Sequence, residues 1–467
     1  MMTVFHVDPV GSNKIGFAVA KRAGTFWEWQ DEGLIDPSAY LKFTDPVAAY
    51  NPNTGEFLVV AMGTDDQTVY GWTLLLSRWN PLTSALSPWE ELTTLPTEVD
   101  KPWIVRGNPN EVASLPFGQM SMSFGQWAQT EFYIVWHDQT DNRPFGLGYL
   151  RSTDDGHTWI GGDVLGNVND PASRALSTRG WPLPRVHEDR PLYVAHVDAP
   201  LTGGGYCTRY VRVLRGDDRT DFAHLGEVQF SNLVDDATGI TIRIDLNAGS
   251  DNMLFRLAGL NLYQSGSGQG VGVDFAVDPA NEAKLYLVYH DTAGTCSDDL
   301  QVDDGDVNIY MRVLTHVTGS RWSVGPQILV ADDGLVEETD QFMPQVVVDG
   351  RGHIHVIFYS DVNYPIQEDG PSLARFDVWY AYSDDGGDNW LLQELCEYAG
   401  EPTPCVGPDP DPAIDSALPH TDIDFLRDYT GIAVGENEVW TSFMGITDDD
   451  TANPDKSVIF STRISRN

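Results

Sequence analysis

One unit of sequence recurs along this chain, and it constrains the fold more than any other feature. It opens with an Asp and a short hydrophobic strand, followed by an Asn/Asp/Gly turn. A second strand rich in Val, Tyr and Trp runs into a polar loop opened by Asp. A third strand, a tight turn and a Trp-bearing fourth strand complete it. One copy starts at Asp100 (DKPWIV) and continues through EFYIVWHD (131–138) and GLGYLRSTDDGHTW (146–159). A second runs from Asp189 (DRPLYVAHVD) through YVRVLRGDDRTDF, and a third from GVDFAVDPANEAKLYLVYHD (272–291) to RWSVG. A fourth joins DQFMPQVVVDGRGHIHVIFYSD (340–361) to FDVWYAYSDDGGDNW. Less complete copies are DPVAAYNPNTGEFLVVAMG (45–63) and FLRDYTGIAVGENEVWTSFMG (425–445) with SVIFSTRI.

The copies recur at intervals of roughly 55 to 90 residues, the range of propeller blades with variable loops. Alternation of apolar and polar residues in IHVIFYSD and FYIVWHD marks strands, and no stretch shows a helical period. The expected fold is all-β: a β-propeller of four-stranded antiparallel blades, with 1–467 forming a single domain. Spare strands at GFAVAKR and TFWEWQ suggest that the two chain ends pair to close the ring and remove a sheet edge. Six blades result if the N-terminal strands only complete the last one, the favoured count; seven result if they form their own.

Two turns between third and fourth strands fit S-x-D-x-G-x-[TN]-W: Ser152, Asp154, Gly156, Thr158 and Trp159, then Ser383, Asp385, Gly387, Asn389 and Trp390. The Asp can accept backbone N–H bonds across the turn, Gly permits positive φ, and the Trp is expected to return into the core between blades. Worn versions stand at KRAGTFW (21–27), RGDDRTDF (215–222) and VTGSRW (317–322). These motifs resemble the Asp-box, or BNR, repeat of bacterial sialidase-like propellers, and the resemblance covers essentially the whole chain. It implies a secreted, carbohydrate-active protein. The Phe/Tyr-Arg-Ile-Pro segment with which sialidases open their arginine clamp has no match, since FRLAGL (255–260) lies mid-chain and lacks the proline. Their Tyr–Glu nucleophile pair has no clear counterpart either, so the expected chemistry departs from that of a sialidase.

The formal net charge of −41 excludes nucleic acid and anionic membranes as partners. It fits a saline or extracellular setting, or acidic loops that hold calcium; Asp303, Asp304 and Asp306 in DDGDVN have oxygen-ligand spacing for a structural Ca²⁺. No apolar run approaches the roughly 18 residues of a bilayer span. Cys396 and Cys405 flank a short loop suited to a local disulfide, and four cysteines without a C-x-x-C pair point to an oxidising compartment. MMTVFHVDPVGSNK shows no basic-then-apolar leader, so an extracytoplasmic destination requires one outside this sequence.

In a four-stranded meander the first strand opens, and the second closes, at the same end. Ligands commonly bind where such ends converge. First-strand openings supply Asp100 with Lys101, Asp189 with Arg190, Asp340, and Arg427-Asp428-Tyr429; second-strand endings supply His137-Asp138, His196 with Asp198, His290-Asp291 and Asp361, with His6 and Asp8 as an equivalent. The candidate catalytic groups are Asp428, Tyr429, His290 and Asp100, able to act as acids, bases or a tyrosyl nucleophile. Arg190, Arg427, Asp189, Asp340, His137 and His196 are the candidate substrate-binding residues. Two functions fit such a rim: a glycoside hydrolase or polysaccharide lyase of altered chemistry, or a non-catalytic propeller that binds a glycan or a protein.

Overall fold

The structure is a computed structural model that describes residues 2–7, 14–23, 26–35, 42–64, 72–92, 99–107, 130–138, 146–163, 173–182, 192–200, 209–218, 228–246, 273–281, 283–292, 307–331, 341–360, 375–395, 414–415, 430–435, 438–447 and 456–465, at some of them the backbone alone. All regular elements among the described residues are strands, and no helix there is long and apolar enough to cross a membrane. The strands form antiparallel meanders of the propeller-blade type, as the repeats predict. They fall into two compact units: residues 1–194 with 213–232, and 195–212 with 233–467.

In the first unit, Met2–Val7, Lys14–Ala23 and Phe26–Ile35 make a three-stranded sheet. The next sheet is Lys42–Tyr50, Phe57–Thr64, Thr73–Asn80 and Ala85–Leu86, with Glu90–Glu91 also on its third strand. A third comprises Val99–Gly107, Glu131–Asp138, Gly146–Ser152 and Ile160–Asp163 in meander order. Cores form between facing sheets. Ile15, Phe17 and Val19 of the first pack with Phe43, Ala61, Leu75 and Trp79 of the second. Burying each of the larger aliphatic and Phe side chains among them stabilises by about 1.5–3 kcal/mol.

The second unit holds two full meanders. One is Val273–Val277, Lys284–Thr292, Val307–Thr318 and Arg321–Val324; the other is Gln341–Val348, Ile354–Ser360, Arg375–Ser383 and Leu391–Glu394. Gly431–Val434, Glu438–Thr447 and Lys456–Ser465 form a three-stranded sheet. Every residue of Ile354–Ser360 is buried, so the alternation read from IHVIFYSD does not divide a wet face from a dry one. A second strand with both faces covered must satisfy its polar residues internally. His355, fully buried, does so by a 2.6 Å hydrogen bond between its Nδ1 and the Tyr380 hydroxyl.

First-to-second strand turns share a device. The Oδ1 of Asp278 accepts the N–H groups of Ala280 and Asn281, at 2.8 and 3.1 Å. Asp349 Oδ1 takes those of Arg351 and His353, at 2.8 and 2.9 Å. Asn51 Oδ1 accepts the Asn53 N–H at 3.0 Å.

The two S-x-D-x-G-x-[TN]-W turns are near copies in space. Asp154 Oδ1 accepts the Ser152 hydroxyl (2.8 Å) and the Thr158 N–H (2.8 Å), while its Oδ2 accepts the Thr158 hydroxyl (2.6 Å). Asp385 repeats this with Ser383 and with the backbone and side-chain amides of Asn389, at 2.9, 3.0 and 2.7 Å. Each turn also leans on the preceding sheet. Gly156 packs on Leu58 and Gly387 on Met311; Arg78 donates to the Gly156 carbonyl, and Asn53 Nδ2 to Asp155 Oδ1 at 3.0 Å. Trp159 and Trp390 depart from expectation. They are half-buried against the glycines of their own turns, because the chain reaches its fourth strand only after them. Trp322 of the worn VTGSRW copy does reach the core and is fully buried.

Burial opposes ionisation of Asp154, but hydrogen bonds from Thr158, Ser152 and His157 outweigh it and hold the carboxyl below its ordinary value. Bonds from Asn389 and then Ser383 depress exposed Asp385 to about 2. A group more acidic in the folded chain stabilises it above its unfolded pKa, and that contribution disappears as pH falls through the folded value. Asp385→Asn is therefore expected to lower Tm at pH 5 to 7, with the gap to the parent closing between about pH 4 and pH 2. A gap constant over that range in thermal melts would contradict the carboxylate's role.

Candidate functional site

Strand register places the sequence candidates. Asp100, at the opening of Val99–Gly107, lies directly opposite His137 at the close of Glu131–Asp138. Gln341 opens its strand opposite Ser360, the last residue of its neighbour. The predicted common end of first and second strands is thus present in both sheets.

His290 lies near the close of the second strand Lys284–Thr292. It is 4% exposed, and its Nδ1 accepts the Met343 N–H at 3.3 Å. Two more side-chain bonds join the same two sheets: Asp274 Oδ2 accepts the Val346 N–H at 3.0 Å, and Gln341 Oε1 accepts the Ile309 N–H at 3.3 Å. Asp274, Asp291 and Gln341 are buried as deeply as His290. A backbone amide can only donate, so the hydrogen bond assigns Nδ1 as the unprotonated nitrogen of His290. Next to it, Tyr289 is raised to about 12, chiefly by burial and against the pull of Arg312, whose Nε donates to the phenol oxygen at 3.2 Å. That phenol stays protonated at neutral pH, the wrong state for a nucleophile.

Three first strands share one irregularity near their openings. Asp45-Pro46 together oppose the single residue Ala61, Lys101-Pro102 oppose Trp136, and Met343-Pro344 oppose Phe358. Each is a β-bulge, the form in which a strand accommodates a proline that cannot donate to the ladder. Asp45 (φ 51°) and Met343 (φ 52°) are both left-handed. For a residue other than glycine this costs of order 1–3 kcal/mol, and such strain gathers at functional sites. The buried Asp45 carboxylate accepts the Thr44 hydroxyl at 2.7 Å.

Sequence reasoning passed over Asp274, Gln341, Met343 and Asp45. Proline within an otherwise apolar strand was the available signal for the bulges. One placement is corrected. Leu192–Pro200, which follows Asp189 and Arg190 in the chain, is the second strand of its sheet; the first is Ser173–Pro182. The run LYV read as a first strand is therefore part of a second one, within which His196 keeps its place. His6 likewise sits in a first strand, opposite Ile15, and not at the close of a second. Asp189, Arg190, Asp340, Arg427, Asp428, Tyr429, Asp303, Asp304, Asp306, Asp361 and the four cysteines lie outside the described residues. Among the described residues no group of three or more His, Cys, Asp or Glu is placed to hold a metal ion.

No family model matches this chain, and no curated protein matches it. Solved structures do. An α-L-arabinanase from Penicillium chrysogenum, complexed with arabinobiose, is 12% identical over 92% of this chain and 95% of its own, with a TM-score of 0.40. A polysaccharide lyase of family PL25, an ulvan lyase, is 11% identical over 99% and 89%, with a TM-score of 0.46. The sialidase of Trypanosoma rangeli in complex with sialic acid is 8% identical over 98% of this chain and 58% of its own, with a TM-score of 0.42.

Proposed function

We propose that this chain is a secreted, carbohydrate-active propeller of the Asp-box, sialidase-like kind that cleaves a glycan by chemistry other than a sialidase's. The observation that carries the reading is the shared end of first and second strands, where Asp100 is paired in register with His137 in one sheet and Gln341 with Ser360 in another. Aspartates and histidines together supply general acids and bases near neutral pH. Asp428 and Tyr429, just before Thr430 and the first strand Gly431–Val434, are assigned the chemical step, with Arg427 as a cation for an acidic sugar. Structural calcium at Asp303, Asp304 and Asp306 belongs to the same proposal.

A turnover screen against sialosides, neutral glycosides and uronic-acid polysaccharides, with and without EDTA, tests it. Release of reducing sugar or of an unsaturated product is the expected result. Asp428→Asn and Tyr429→Phe should then each lower kcat by about 10²-fold or more with binding retained. Silence from folded protein across the panel would sink the enzymatic reading. It would favour the second one, a glycan- or protein-binding propeller, for which the deep burial of Asp274, His290 and Asp291 is the supporting observation.

A further inference from the structure

Among the described residues of the second unit, the bulge at Met343-Pro344 combines a left-handed residue with two side-chain hydrogen bonds from the preceding sheet. Where folding alone asks for a left-handed residue, glycine or asparagine serves best. Here the position holds methionine at φ 52°, half-buried, and the same place in the other two bulges holds Asp45 and Lys101. The left-handed position thus carries a methionine in one bulge and an aspartate in another, neither chosen for backbone ease, which points to a position kept for its side chain. Two side chains from the preceding sheet hold the device. His290 Nδ1 accepts the Met343 N–H, and Asp274 Oδ2 accepts the Val346 N–H beyond the proline.

We propose that Met343 is a ligand-contacting residue, and that His290 is its positioning residue and not a proton-transfer group. The inference rests on the rim being the glycan site proposed above. A flexible, polarisable thioether suits the C–H face of a sugar ring. His290, with its Nδ1 committed to a backbone amide, fixes where that thioether stands.

The test uses the full chain and the most active glycan of the screen. Met343→Gly relieves the backbone strain, so the variant should be as stable as the parent or more so, yet KM should rise about tenfold with kcat little changed. His290→Ala should raise KM similarly, leave the pH profile of kcat in place, and speed hydrogen exchange of the Met343 amide by about tenfold or more. His290→Asn, whose side-chain oxygen can take the place of Nδ1, should restore both. An unchanged KM in Met343→Gly overturns the ligand contact. A collapse of kcat with loss of one pH limb in His290→Ala, at unaltered Met343 exchange, overturns the positioning role in favour of proton transfer. If the parent binds and cleaves nothing, the glycan reading fails and Met343's ligand role with it, while amide exchange still decides whether His290 holds the bulge.

Discussion

Replacing Arg151 by methionine, with Glu131 left in place, is expected to destabilise the protein by about 3–5 kcal/mol. The two side chains are 5% and 6% exposed, and Arg151 Nη2 lies 3.3 Å from Glu131 Oε1. The Tyr133 hydroxyl donates to the other carboxylate oxygen at 3.3 Å, and the guanidinium stands 5.7 Å from the centre of the Tyr133 ring. All three residues lie among the third sheet's second and third strands, where water is excluded. Removing the guanidinium takes the opposite charge away from a buried carboxylate, so its desolvation is far less well offset. Removing both charges is a different matter. The double variant Glu131→Leu/Arg151→Met, which swaps the pair for apolar groups, should lie within about 1–2 kcal/mol of the parent, because a buried pair's attraction roughly cancels its desolvation. Urea unfolding of the parent, both singles and the double measures this directly. A single variant costing under about 1 kcal/mol would mean that the pair is solvated, contrary to its burial.

Much of the fold was legible because its units are local. EFYIVWHD, GLGYLRS and IHVIFYS became strands at nearly the boundaries read from their β-branched and aromatic runs. The two S-x-D-x-G turns formed as their residue types require. Failures arose where local signal and tertiary position part. DRPLYV looks like DKPWIV, so both were read as first strands. Yet the first strand ahead of Leu192–Pro200 is Ser173–Pro182, whose SRALSTRGWP carries too few apolar residues to announce itself. The rim residues show the same division. That His290 would end a strand was visible in LVYHD, but its hydrogen-bond partner Met343 is 53 residues away. Nothing in either segment alone links them. The bulges lie between these cases, since Pro inside an apolar strand demands one, although the side chain it presents is known only from the register.

Alanine at Gly387 is expected to destabilise by about 3 kcal/mol, and alanine at Gly386 by only about 1 kcal/mol. Both glycines are left-handed, with φ of 98° and 83°, so each substitution meets the steric cost of a Cβ in that region. Their surroundings differ. A Cβ on Gly386 would meet nothing within 4 Å, whereas one on Gly387 would collide with the terminal methyl of Met311 and touch Ile328 and Trp390. Met311 is fully buried in the preceding sheet, so although its methyl ends a flexible side chain, it can move aside only by giving up part of its own packing. The difference between the two variants therefore isolates how firmly the Ser383–Trp390 turn is seated on its neighbour. Met311→Ala alone should cost about 2–5 kcal/mol for the cavity it leaves. In the Gly387→Ala background it should cost at least about 1 kcal/mol less, because the new methyl takes up part of that space. Equal losses for Gly386→Ala and Gly387→Ala, with no coupling to Met311, would show that the turn stands free of the preceding sheet. Its Asp385 hydrogen bonds would then stabilise a local loop and not the joint between two blades.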